Sequence, residues 1–241
     1  PSGNKNAALP LLAACLLTEE AVVLHNLPQI RDVQAMRSLI ESLGAQVDDV
    51  DARTWRITTR ELTASHPDPE LCRRIRASIL IAGPVIARAG ALRLPPPGGD
   101  VIGRRRFDTH ILALRALGVD VTYDREFDLR VTELRGANIL LDEASVTATE
   151  NALMAAVLAK GDTFIRNAAS EPHVQELCHF LNILGAQIEG IGSNTLHIIG
   201  VPRLHGGEFT IGPDLLEVIS YVGAAVVTHG EIRIHNAGVQ Y

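Results

Sequence analysis

The chain has 241 residues, 46% hydrophobic, 21% charged and 4% aromatic, which rules out intrinsic disorder as its main state and allows one large core or two modest ones. Its 28 acidic and 22 basic residues leave a net charge of −6, the opposite of the broad positive field of a general nucleic-acid binder, so an anionic ligand has to meet local positive charge. The three cysteines, Cys15, Cys72 and Cys178, are widely spaced without a CxxC pair, which argues against a disulfide scaffold or a zinc site and points to a reducing, cytoplasmic setting.

In chain order, the apolar run over residues 7–17 predicts a buried helix, since it falls short of the roughly 20 residues that cross a bilayer. A strand over 21–26 ends in a turn. An amphipathic helix over 33–43 follows, stopped by Gly44, with a β-type run after it. The same order returns as a buried helix over 77–87, a strand over 91–94 and a helix over 109–117 stopped by Gly118. It returns again over 151–159, 162–167 and 174–184, with Gly185 as the stop. Ser42-Leu-Gly-Ala-Gln-Val, Ala116-Leu-Gly-Val-Asp-Val and Ile183-Leu-Gly-Ala-Gln-Ile mark the three copies at intervals of about 70 residues. A fourth start is expected as a helix over 215–227 and a strand over 231–236. The pattern predicts an α/β protein of three units whose buried helices share one centre, with sheets and amphipathic helices outside. The chain opens on Pro-Ser-Gly-Asn without methionine or a leader-like segment, and is expected to be part of a longer protein.

One linker breaks the repeat. Leu94-Pro-Pro-Pro-Gly-Gly-Asp-Val-Ile-Gly-Arg-Arg-Arg combines glycine hinges, the carboxylate Asp100 and the cluster Arg104, Arg105 and Arg106, where the other copies have short turns. The buried helices start at Gly3-Asn4-Lys5-Asn6, at Arg73 to Ser78, and at Ser145-Val146-Thr147, where Thr147 and Glu150 fit a capping box. Packing about a common centre would bring these starts to one end. Their positive dipole ends, with Lys5 and Arg76, would then favour an anion. Among the nine histidines there is no HExxH, and the chain carries no GxGxxG, P-loop or GxSxG motif, so metal, nucleotide-loop and nucleophilic-triad readings find no support. Asp214 and Glu217 at the fourth start read equally as helix caps or as cleft residues.

Ser2-Gly-Asn-Lys-Asn-Ala-Ala-Leu-Pro, Arg76-Ala-Ser and above all Pro97-Gly-Gly-Asp-Val-Ile-Gly-Arg-Arg-Arg-Phe-Asp-Thr-His resemble the UDP-N-acetylglucosamine 1-carboxyvinyltransferases, and the resemblance runs through nearly the whole chain. It implies an inside-out α/β barrel of three pseudo-symmetric repeats, 3–68, 69–140 and 141–210, forming a loop-bearing domain over 3–210. Residues 211–241 would begin a second domain, whose remainder is the partner the site needs. It also implies phosphoenolpyruvate and UDP-N-acetylglucosamine as substrates, no cofactor, and no nucleic-acid or membrane partner. Lys5, Arg76 and Arg105 would hold phosphoenolpyruvate, and Asn6 the sugar. Asp100, where many members have cysteine, would be the proton donor, which implies resistance to fosfomycin. Arg106, Phe107, Asp108 and Thr109 match the uracil-binding stretch, and Ser145, Val146 and Thr147 the diphosphate-binding helix start. Arg106, Thr147 and Glu143 replace the usual proline, glycine and lysine, which leaves open a related acceptor or a non-catalytic paralogue.

Overall fold

The computed structural model describes residues 1–99 and 107–238. The first unit runs through α1 (Lys5–Ala14) with a 3-10 turn after it (Cys15–Leu17), β1 (Val22–His25), α2 (Arg31–Ser42), β2 (Gln46–Asp51) and β3 (Thr54–Thr58). Next come α3 (Pro69–Arg74), a 3-10 turn (Arg76–Ile81), α4 (Ala82–Ala89), β4 (Ala91–Leu94), α5 (Asp108–Ala116), β5 (Asp120–Asp124) and β6 (Glu126–Arg130). The chain continues through β7 (Asn138–Leu140), α6 (Val146–Ala156), β8 (Asp162–Arg166), α7 (Pro172–Ile183), β9 (Gln187–Glu189), β10 (Thr195–Ile199), β11 (Gly207–Thr210) and α8 (Leu215–Thr228).

Each unit folds its strands alike. The first strand pairs antiparallel with the third, and the third with the second, giving β1-β3-β2, β4-β6-β5 and β8-β10-β9. Two sheets gain a parallel edge: β7 joins β8, and β11 returns to β1 with Val22 opposite Gly207. The last strand therefore closes onto the first sheet. Between amphipathic helix and second strand the chain reverses at Gly44, Gly118 and Gly185, with φ of 111°, 96° and 98°. That conformation is what places a glycine in each Leu-Gly signature.

At the centre α4 packs on α6, and the 3-10 turn before α4 packs on both α1 and α6. Leu11, Leu12 and Leu16 are fully buried, each contributing about 1.5–3 kcal/mol of transfer free energy. The single helix expected over 77–87 is instead divided, with 3-10 geometry up to Ile81 and α-helix from Ala82. Pro84 has no N–H for the Leu80 carbonyl and its ring crowds that oxygen, so the α-ladder loses a bond at the junction. Gly83 lies against α6, where a Cβ would meet the Asn151 carbonyl oxygen at 2.6 Å.

The strand expected over 231–236 does not form. Among the described residues no strand pairs with it, and a strand alone leaves its backbone groups without partners. The helix before it, α8, has no buried residue and exposes Leu216, Ile219, Val226 and Val227. Its start is nevertheless anchored. Asp214 caps it by accepting the Leu216 N–H at 2.9 Å, Asp214 N–H donates to the Ser2 carbonyl at 2.9 Å, and Glu217 Oε2 accepts both the Ser2 N–H and hydroxyl at 2.9 Å. The structure thus uses both carboxylates as helix-start ties. No helix of the described residues is long and apolar enough to cross a membrane. All three cysteines are buried, and burial pushes the Cys72 and Cys178 thiols up to about 12, leaving no reactive thiolate.

Candidate active site

The starts of α1 and α6 and the 3-10 turn at Arg76 open into one cavity of about 710 Å³. Lys5, Asn6, Arg76, Ser145, Val146 and Thr147 all wall it, although they come from three units of the chain. Asp32, Arg74, Glu143, Glu150, His173 and Gly99 complete the polar part of the wall. A neighbouring cavity of about 720 Å³ shares Asp32, Arg74 and Ile75 with it.

Local chemistry sets each position. Asn4 caps α1, its side chain accepting the Asn6 N–H at 2.8 Å, so Lys5 and Asn6 fall in the first turn at the cavity rim. Lys5 Nζ lies 3.2 Å from Asp32 Oδ2, with both side chains nearly half exposed. Asp32 stands in the first turn of α2 and therefore competes with any anion for the ammonium group. Arg76 begins a 3-10 turn, so its charge comes from the guanidinium more than from a helix dipole. That group lies over the Phe107 ring, 4.3 Å from its centroid.

Ser145, not Thr147, caps α6: its side chain accepts the Ala148 N–H at 3.4 Å. The capping box of Thr147 with Glu150 is therefore not formed. Position 148, where a box starting at Ser145 needs its acid, is alanine, and the Thr147 hydroxyl bonds elsewhere. His110 Nε2 lies 3.1 Å from Thr147 Oγ1, and His110 Nδ1 lies 2.9 Å from Asn151 Nδ2. Asn151 Oδ1 in turn accepts the Gly83 N–H at 2.8 Å, and Nδ2 also donates to the Ile79 carbonyl at 2.9 Å. Burial, and secondarily the charge of Arg76, brings the His110 pKa down to about 4.

Glu150 is 1% exposed, and among the described residues its Oε1 has no partner. Burial, reinforced by the negative charge of Glu171, holds its carboxyl well above the ordinary range and so favours the protonated form. His173 is also lowered by burial, with Glu171 opposing.

Of the remaining expected residues, the three that are described fall near but not in the wall. Phe107 lies under Arg76, and Asp108 is exposed at the start of α5. Thr109 is 2% exposed, and its hydroxyl donates to Asp142 Oδ1 at 2.6 Å, tying α5 to the turn before α6. Asp100, Arg105 and Arg106 lie outside the described residues. The segment leading to them does not: Gly98 N–H donates to the Cys72 carbonyl at 3.1 Å and Gly99 N–H to the Arg73 carbonyl at 3.3 Å.

His110, Asn151, Glu150 and His173 were not among the expected site residues. Glu150 and Asn151 were visible as a polar pair inside an apolar helix, and Asn151 stands four residues after Thr147 on the same helix face. His110 was legible only as the end of the loop motif.

The family model of EPSP synthase (3-phosphoshikimate 1-carboxyvinyltransferase) matches residues 1–241. The UDP-N-acetylglucosamine 1-carboxyvinyltransferase of Bradyrhizobium diazoefficiens is 56% identical over 241 residues, covering all of this chain and 56% of that protein. That of Treponema denticola is 54% identical over 233 residues, covering 97% of this chain and 55% of the relative. The chain thus spans about half the length of these relatives. Among solved structures, the enolpyruvyl transferase NikO from Streptomyces tendae matches with a TM-score of 0.80 at 25% identity, over 93% of this chain and 53% of that one. EPSP synthase from Acinetobacter baumannii matches with a TM-score of 0.73 at 17% identity, over 93% of this chain and 52% of that one, a likeness of fold.

Proposed function

Because the chain belongs to the EPSP synthase family, we propose that the protein it forms part of transfers the enolpyruvyl group of phosphoenolpyruvate to the 3-hydroxyl of UDP-N-acetylglucosamine, releasing phosphate. That product would commit the nucleotide sugar to peptidoglycan synthesis in the cytoplasm. The observation that carries this reading is the cavity where Lys5, Asn6 and Arg76 meet the Ser145–Thr147 helix start, with Gly99 on its wall.

In this reading Lys5, Arg76 and Arg105 hold the phosphate and carboxylate of phosphoenolpyruvate, Asn6 meets the sugar, and Ser145, Val146 and Thr147 take the diphosphate. Arg106, Phe107, Asp108 and Thr109 belong to the uracil-binding stretch, where Thr109 acts through its backbone because its hydroxyl is committed to Asp142. Asp100 gives its proton to the methylene carbon while the sugar 3-hydroxyl bonds the neighbouring carbon and gives up its own proton to solvent, through an oxocarbenium-like state. The adduct then expels phosphate as a proton from the new methyl group returns to the Asp100 carboxylate, restoring the double bond. A carboxyl can serve if closure of the site desolvates it against the pull of Arg104, Arg105 and Arg106.

Residues 3–210 form the loop-bearing domain, with repeats 3–68, 69–140 and 141–210 arranged as an inside-out barrel, and 211–241 begins the second domain. The return of β11 to β1 and the unburied α8 support that division.

Incubating the full-length protein with both substrates should yield the enolpyruvyl ether of the sugar nucleotide and one phosphate per product. Tight binding of the nucleotide without product would instead favour a binding paralogue, and product only with another acceptor would favour a divergent one. Glu143, exposed on the cavity wall beside Ser145, is the observation that favours either alternative.

A further inference from the structure

The hydrogen bonds around His110 have a single consistent polarity. The Gly83 N–H can only donate, so Asn151 presents Oδ1 to it, and Nδ2 is left to donate to the Ile79 carbonyl and to His110 Nδ1. His110 Nδ1 is then an acceptor, and its proton sits on Nε2, which donates to Thr147 Oγ1 at 3.1 Å. A histidine that is 3% exposed and whose pKa falls to about 4 keeps this neutral tautomer throughout the physiological range. Among the described residues the charged group acting on it is Arg76, and Glu150, whose pKa burial raises, stands between its two partners Thr147 and Asn151 on α6.

One end of the chain of bonds is therefore buried backbone and the other is a hydroxyl at the cavity. Among the described residues the Thr147 hydroxyl makes one hydrogen bond, and in that bond it accepts. Its own proton is free to be given away, and Thr147 walls the cavity. A second, independent feature marks the same cavity as built for a ligand: Glu150 Oε1 is buried, on its wall and without a partner among the described residues.

We propose that the series Gly83, Asn151, His110, Thr147 holds the Thr147 hydroxyl as a hydrogen-bond donor to a phosphate oxygen of the bound ligand, with His110 as the positioning residue. The proposal rests on the reading of this cavity as the substrate site and adds to it a side-chain contact, whereas a glycine at position 147 would offer only its backbone. Both candidate substrates carry phosphate, so the shared chemistry is the phosphate oxygen.

The test measures dissociation constants by calorimetry on the full-length protein, for UDP-N-acetylglucosamine, for phosphoenolpyruvate and for inorganic phosphate. Thr147→Val, which keeps the shape and removes the hydroxyl, should weaken one of these by about tenfold, the order expected for a hydrogen bond to a charged group. Thr147→Ser should restore most of it. Loss with the nucleotide alone places the contact on its diphosphate, and loss with phosphoenolpyruvate and phosphate places it there. His110→Gln should weaken the same ligand, but not when added to Thr147→Val. On the unmutated protein, nitrogen-15 spectra of labelled histidine should show His110 protonated on Nε2 from pH 6 to 8, a readout that does not depend on any variant folding. Equal binding by wild type and Thr147→Val, equal losses in Val and Ser, or a proton on Nδ1 would overturn the proposal. Since these readouts need no turnover, failure to form the enolpyruvyl product would count against the proposed function and leave this inference standing.

Discussion

Gly98 lies so close to Arg73 that a Cβ at position 98 would stand 1.8 Å from the Arg73 carbonyl oxygen. Only a residue without a side chain lets the loop rest on α3, and its next residue, Gly99, at φ 87°, reaches the cavity beside Arg76. These two glycines thus seat the chain against α3 and the cavity immediately before Asp100 in sequence. Gly98→Ala should lower kcat/KM for enolpyruvyl transfer by at least about tenfold, the scale of a misplaced catalytic group, while shifting Tm by little because the linker moves instead of the core. Steady-state kinetics and a thermal melt on one preparation check both halves.

Lys5 and Asp32 make a second testable pair. A half-exposed ion pair is worth only about 0–1 kcal/mol, so an anion can displace Asp32 at small cost. Asp32→Asn should therefore tighten phosphoenolpyruvate binding by about two- to fivefold, and Lys5→Ala should weaken it by more than that. Calorimetric titration reads both, and weaker binding in Asp32→Asn would show that the carboxylate orients the lysine rather than competing with the ligand.

The pH dependence of stability follows from Glu150. An acid whose folded pKa is raised contributes its full stability below its unfolded pKa of about 4.3, and loses it as pH rises toward the folded value. Glu150→Gln, which cannot ionise, should melt about 2–4 °C above wild type at pH 8, with the gap closing near pH 4. Paired melts across that range check the sign. A gap that widened toward acid would mean that Glu150 is ionised in the folded protein.

Asp100 also predicts inhibitor behaviour. A carboxylate is a poor nucleophile toward an epoxide beside a thiolate, and the three cysteines are buried. Fosfomycin should leave wild-type activity intact and inactivate Asp100→Cys in a time-dependent way, with the covalent adduct read by intact mass.

Much of this architecture is legible in the chain because the repeat is physical before it is textual. Gly44, Gly118 and Gly185 recur since each unit needs a positive φ after its amphipathic helix, and the helix spacing then brings Lys5, Arg76 and Ser145 to one end. The misreadings are equally local. Pro84 divides a run that its apolar content alone describes as one helix. Residues 231–236 have strand composition, but pairing makes a strand, and no partner lies beside them among the described residues. Thr147 and Glu150 have the spacing of a capping box two residues late, because Ser145 takes the cap. The bond between Thr147 and His110 joins two units across tertiary space, so no window of sequence contains it.

The most direct test of the account is phosphate release from phosphoenolpyruvate by the full-length protein, with and without UDP-N-acetylglucosamine, in wild type and in Asp100→Ala. Release that depends on the nucleotide sugar and disappears in Asp100→Ala, with nucleotide binding retained, is the predicted result. Release without acceptor, undiminished release in Asp100→Ala, or none in wild type with this acceptor would contradict it.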